Sequence, residues 1–174
     1  MRAVGAGFVV GRGLNRETFV HVRDLAEMYA ALVNDARRQV RGGARDGESL
    51  WGLDAYYFGG DEELSFREFM ETLLPLARAR GIVSRDDIVS LGAGEPATLL
   101  SGSDAKGGTG GDQDRGAGRV EHEWSDHILV MFGINMRCRS VRARKLLGYV
   151  PRGESVAESL PATLDLFLRR AKAT

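Results

Sequence analysis

The chain has 174 residues, enough to bury a core in one domain and too few for two ordinary ones. Lys+Arg and Asp+Glu number 24 each, so no net field draws nucleic acid or an anionic membrane to the protein as a whole. A single cysteine, Cys138, excludes an intrachain disulfide framework. With no signal-peptide pattern and no run long enough to cross a bilayer, the expectation is a soluble, cytoplasmic protein.

Phe8-Val9-Val10, between glycines, reads as a short strand, and Phe19 to Val22 as a second, rich in β-branched residues. Asp24 with Glu27 reads as a capping box opening a helix, with Leu25, Met28, Tyr29 and Leu32 at helical spacing and Gly42-Gly43 at its end. Arg45 to Ser49 is a polar loop, and Ala55 to Phe58 a third strand stopped by Gly59-Gly60. Ser65 with Glu68 repeats the capping signature before an apolar face of Phe66, Phe69, Leu73, Leu76 and Ala77; Pro75 should kink or divide that helix, and Gly81 ends it.

Ser101 to Gly118 is rich in glycine and polar residues and cannot bury enough surface to offset its ordering entropy, so it reads as a disordered insertion within a single lobe spanning 1–174. Val120 to Met131 reads as helical, and Ser140 to Leu147 as a short basic helix ended by Gly148. After a turn at Pro151 and Gly153, Ser155 with Glu158 caps a last amphipathic helix through Leu160, Leu164, Phe167 and Leu168.

Four patterns suggest chemistry. Gly7, Gly11 and Gly13 have the spacing of a dinucleotide-binding turn, which must follow a strand and open a helix. A strand pattern follows Gly13 instead, so a packed strand is the better reading. His122 and His127 stand five apart, on different sides of a helix, which suits a solvated face better than zinc. Cys138 lies between Arg137 and Arg139 but lacks an identifiable base, so it reads as an ordinary cysteine. Arg137, Arg139, Arg142, Arg144 and Lys145 could clamp an anion, although a solvated helix end is favoured. His21 reads as a hydrogen-bonded core histidine.

Three stretches, taken in order, resemble the C-terminal part of the extended short-chain dehydrogenase/reductase family, the NAD-dependent epimerase/dehydratase-like proteins. They are Val10 to Arg16 continuing through Val20-His21-Val22-Arg23-Asp24-Leu25-Ala26 to Tyr29; Tyr56 to Phe58 with Glu63, Ser65 and Glu68; and Asn135 to Arg137 followed by Arg142 to Tyr149, Pro151, Ser155, Glu158 and Leu160-Pro161. The resemblance implies an α/β fold, the C-terminal portion of a Rossmann-type enzyme with short strands and several amphipathic helices, whose N-terminal nucleotide-binding part is missing. It implies a small-molecule substrate and NAD or NADP for the full-length family, with none bound by this chain alone.

Family members also carry a Tyr-x-x-x-Lys pair. Here the tyrosines are at 29, 56, 57 and 149 and the lysines at 106, 145 and 172, so no lysine follows a tyrosine by four. No catalytic or cofactor-binding role therefore carries over. By position in the resemblance, Asn15, Arg16 and His21 are the candidates for lining a substrate pocket, while Asp24 is read as a helix cap. The expected function is the substrate-binding portion of an NAD(P)-dependent oxidoreductase or epimerase-like protein; the alternative is a stand-alone binding or scaffold protein. Strands cut from a larger sheet would leave Phe8 to Val10, Phe19 to Val22 and Ala55 to Phe58 facing water, covered by a missing Rossmann domain or by self-association.

Overall fold

The computed structural model describes residues 5–43, 49–92 and 131–173. They form a mixed α/β chain: β1 (Gly7–Val10), β2 (Arg16–Phe19), α1 (Val22–Val40), β3 (Glu62–Ser65), α2 (Phe66–Ala79), β4 (Ile88–Leu91), α3 (Val141–Leu147) and α4 (Val156–Ala173). The chain divides into two compact units. The insertion expected at Ser101 to Gly118, the His122–His127 pattern and most of the helix expected over Val120 to Met131 lie outside the described residues.

One unit draws on Met1–Glu17, Leu64–Met136 and Leu160–Thr174. Here β1 pairs with β4 in parallel, Gly7 opposite Ile88 and Val10 opposite Leu91. The continuous apolar run of β1 has its physical counterpart in burial: Phe8 and Val9 are both covered. Thus the exposed surface expected at Phe8 to Val10 is absent for those two residues. Leu74, Ala77 and Val83 form a core with Ile82 and Ile88 around them. Phe66 and Phe132 stack at 4.9 Å, and Phe8 packs against Phe66 at 5.8 Å.

The capping box of α2 forms as the sequence suggests: Glu68 N–H donates to Ser65 Oγ (3.2 Å) and Ser65 N–H to Glu68 Oε2 (2.6 Å). Pro75 does not divide α2, which runs unbroken from Phe66 to Ala79 and stops before Gly81 (φ +67°). On α4, Asp165 accepts from Arg80 Nε at 2.6 Å, and the Pro161 carbonyl accepts from the same guanidinium at 3.3 Å.

The other unit comprises Thr18–Glu63 and Arg137–Ser159. Its core is Met28, Ala143 and Tyr149, with Leu25, Tyr57 and Leu147 packed against it. Tyr149 donates its hydroxyl to the Gly59 carbonyl at 2.9 Å. The buried Asp35 carboxylate accepts from Trp51 Nε1 (3.1 Å), Gln39 Nε2 (2.7 Å) and Arg38 (3.1 Å), which satisfies the charge that burial would otherwise penalise. α3 ends at Gly148, whose φ of +65° suits a helix C-terminus, and α4 opens with Ser155 and Glu158 in reciprocal capping bonds.

Three local expectations are corrected. The strand lies at Arg16–Phe19, not Phe19 to Val22, because His21 caps a helix that begins at Val22. Asp24 is not the cap: it sits inside the first turn and is buried, bonded to a distant segment. Ala55 to Phe58 is not a strand. Tyr57 donates its hydroxyl to the Leu50 carbonyl (2.7 Å), Tyr56 and Phe58 are exposed, and the ladder forms only after Gly59-Gly60, at β3.

β2 and β3 pair as a two-stranded sheet. Asp61 N–H donates to the Phe19 carbonyl (3.1 Å) and Phe66 N–H to the Asn15 carbonyl (2.9 Å), so the strands run antiparallel. Gly60 allows this approach: a Cβ there would overlap Thr18 Cγ2 and lie 2.9 Å from Cys138 Sγ.

Candidate functional site

Asn15 and Arg16 stand at the entry to β2, held by a segment more than a hundred residues later. Asn15 Nδ2 donates to the carbonyls of Phe132 (3.0 Å) and Ile134 (3.2 Å) and lies 3.3 Å from Glu17 Oε1. Asn135 Oδ1 accepts from Arg16 N–H at 2.7 Å, and Met136 N–H donates to the Arg16 carbonyl at 2.9 Å. An amide has two N–H donors, so the two carbonyls and Glu17 already occupy Asn15; its first role is to position the strand. The Arg16 side chain is part-exposed, with Nη1 3.9 Å from Glu68. Bonds from the backbone and side chain of Ser65 hold the Glu68 carboxyl below its usual range, so it stays ionised toward Arg16.

Glu17, the next residue, is buried, and burial pushes its carboxyl up. Loss of hydration favours the neutral, protonated form of this carboxyl relative to a solvated one. Arg16, Thr18 and Phe19 are all only part-buried, so no period-two pattern in Arg16-Glu17-Thr18-Phe19 singles out Glu17 in the sequence.

In the other unit, His21 is the N-cap of α1. Its Nδ1 accepts from Arg23 N–H at 3.2 Å, which leaves the proton on Nε2. Asp24, three residues on, accepts from the backbone of Arg152 (3.0 Å) and Gly153 (2.9 Å to Oδ2). Burial raises the Tyr149 hydroxyl above its usual pKa, and the charge of Asp24 adds to that.

An open recess of about 340 Å³ in this unit is lined by Thr18, Asp61, Glu63, Cys138, Arg139 and Arg144 among others. Cys138 is half-buried, its N–H donating to Thr18 Oγ1 at 3.0 Å. Much of the basic cluster is engaged by the chain itself. Arg137 bonds to Glu63 (2.7 Å), and Arg142 donates to the Ser49 carbonyl (2.7 Å) over the Tyr57 ring. Arg144 donates to Ser140 Oγ (2.9 Å), with Asp61 at 3.4 Å. Arg139 and Arg144 both line the recess and both are exposed.

The glycine motif does not form a phosphate-binding turn. β1 precedes Gly11, but β2 rather than a helix follows Gly13, and a Cβ on Gly13 would lie 2.7 Å from Val9 Cγ1. Among the described residues, no group of three or more His, Cys, Asp and Glu converges to hold a metal, and no helix is long and apolar enough to cross a membrane.

No family model matches the chain, and no solved structure matches it. Over 96 residues the chain is 30% identical to the oxidase ucsJ of an Acremonium species; the stretch is 55% of this chain and 28% of that protein. The chain thus spans less than a third of the length of the oxidase it matches, and its similarity to an oxidoreductase extends over about half of its own residues.

Proposed function

We propose that the chain supplies the substrate-binding portion of an NAD(P)-dependent oxidoreductase or epimerase of the extended short-chain dehydrogenase/reductase type. The observation that carries this reading is the bond from Arg16 N–H to Asn135 Oδ1 (2.7 Å). It joins two stretches 119 residues apart that the resemblance, on sequence grounds alone, assigns to one family. The Asp24 bonds to Arg152 and Gly153 join a second such pair. Partial identity to an oxidase supports the same class of reaction. In this reading Asn15, Arg16 and His21 are the substrate-side residues. NAD or NADP would accept the hydride from substrate, and its reduced form would return it, the dinucleotide being held outside these residues.

NMR on the ¹⁵N-labelled chain tests this reading with a panel of ketones, secondary alcohols and nucleotide sugars. Saturable shifts at Asn15, Arg16 or His21 are the expected result. Shifts confined to other residues, or none with any compound, would remove the assignment of these three.

The burial of Phe8 and Val9 favours a second reading, since β1 is covered by the chain's own residues. In it, the lobe is a stand-alone, non-catalytic binding or scaffold protein. Ligand shifts at Asn15 and Arg16 unaccompanied by turnover in any longer form of the protein would select it.

A further inference from the structure

Three of the arginines that lead into α3 and run along it are taken up by the chain itself. Arg137 bonds to Glu63 at 2.7 Å and Arg142 to the Ser49 carbonyl at 2.7 Å. Arg144 bonds to Ser140 Oγ at 2.9 Å, with Asp61 3.4 Å away. Arg139 differs from them. Among the described residues its guanidinium makes no hydrogen bond and no ion pair, and it stands exposed on the wall of the 340 Å³ recess. Every residue lining that recess belongs to the unit of Thr18–Glu63 and Arg137–Ser159.

The other polar groups of the recess indicate what Arg139 is suited to hold. Thr18 Oγ1 accepts from the Cys138 N–H at 3.0 Å, which leaves its own hydroxyl proton to donate. Asp61 meets Arg144 only at 3.4 Å and its side chain is 44% exposed, so it retains acceptor capacity toward the recess. Glu63 faces Arg137 and Asp61 faces Arg144, so both lining carboxylates have a cation and the charge in excess is that of Arg139. A dianion such as phosphate outweighs that excess and meets two carboxylates. A zwitterion brings an ammonium for which the lining residues offer no uncompensated carboxylate. A monoanion with hydroxyl groups matches the charge and the hydrogen-bonding groups together. We propose that this recess binds a small hydroxycarboxylate: Arg139 takes the carboxylate, Asp61 accepts from a hydroxyl and Thr18 donates to one.

At about 340 Å³ the recess lies at the lower end of small-molecule sites. It is open and Arg139 is exposed, so solvent screens the ionic contact and the Kd falls at about 1 mM. Added salt weakens binding for the same reason. The recess shares no residue with Asn15, Arg16 or His21, so binding here stands or falls apart from the function proposed above.

Cys138 lines the recess and is the chain's one cysteine, so its alkylation by iodoacetamide reports occupancy. In the full chain, sodium D-gluconate should slow that alkylation saturably, measured against sodium chloride of equal ionic strength. The ¹⁵N amide resonances of Thr18, Asp61 and Arg139 should shift over the same range. Arg139→Gln should weaken gluconate binding about tenfold with the circular-dichroism spectrum unchanged, and Arg139→Lys should restore part of it. D-Sorbitol, which has a hydroxymethyl in place of the carboxylate, and inorganic phosphate should each bind about tenfold more weakly than gluconate. Failure of gluconate to protect Cys138 or to shift those resonances at ten times the expected Kd would overturn the proposal. So would equal binding of sorbitol or phosphate, or gluconate binding indifferent to Arg139→Gln.

Discussion

The carboxylate of Asp24 and the backbone N–H of Gly153 lie 2.9 Å apart across 129 residues of sequence, with the Arg152 N–H donating to the same side chain at 3.0 Å. Asp24 is 3% exposed, so the two donors it satisfies have little access to water in its absence. Asp24→Ala should lower unfolding stability by about 1–3 kcal/mol for each donor left stranded. Asp24→Asn keeps one acceptor oxygen and should lose about half as much. Urea denaturation followed by circular dichroism measures both. A loss within 0.5 kcal/mol of zero for the alanine variant would mean the contact contributes nothing.

Gly153 is tied to this arrangement for a second reason. A Cβ there would overlap Cβ and Cγ of His21. Gly153→Ala should therefore cost about 1–3 kcal/mol through overpacking. In a His21→Gly background most of that cost should vanish, because both colliding atoms are gone. The double-mutant cycle should thus yield a coupling of about 1 kcal/mol or more. Additive effects of the two substitutions would show that His21 does not occupy the space beside Gly153.

Glu17 gives a pH signature. Its unfolded carboxyl titrates near 4.5, and burial raises it in the fold. Below 4.5 both states hold the proton; as pH rises through the folded value the fold must accept a charge that the unfolded chain carries freely, and stability falls. Glu17→Gln keeps an oxygen for Asn15 but cannot ionise. It should be more stable than the parent at pH 7, and the difference should close as pH drops below 4.5. Thermal unfolding across pH 3 to 8 tests the sign; a gap that widens on acidification would contradict it.

Elements governed by local chemistry were legible from sequence. The box at Ser65 and Glu68, the stop at Gly148 and the cap at Ser155 depend on residues within a turn of one another, and all three form. The strands were not, because a strand needs a partner that local sequence does not name. Ala55 to Phe58 has the composition of a strand, yet Tyr57 is drawn to the Leu50 carbonyl and β2 pairs with Glu62–Ser65 instead. Asp24 misled for the same reason. Aspartate at a helix start is read as a cap, and only the fold shows that His21 does that work while Asp24 holds Arg152 and Gly153. Asn15 and Arg16 are candidates by resemblance only, and their tie to Phe132, Ile134 and Asn135 could not be read from either segment alone.

In the proposed function this chain recognises substrate while the dinucleotide is held by other residues. Titration of the 174-residue chain with NADH and NADPH, following nicotinamide fluorescence together with the amide resonances of Gly11 and Gly13, tests it most directly. No saturable change in either signal is expected up to millimolar cofactor, since β2 follows the glycines where a helix N-terminus is needed to meet the pyrophosphate. Saturable micromolar binding that shifts Gly11 and Gly13 would contradict the account and place the cofactor on this chain.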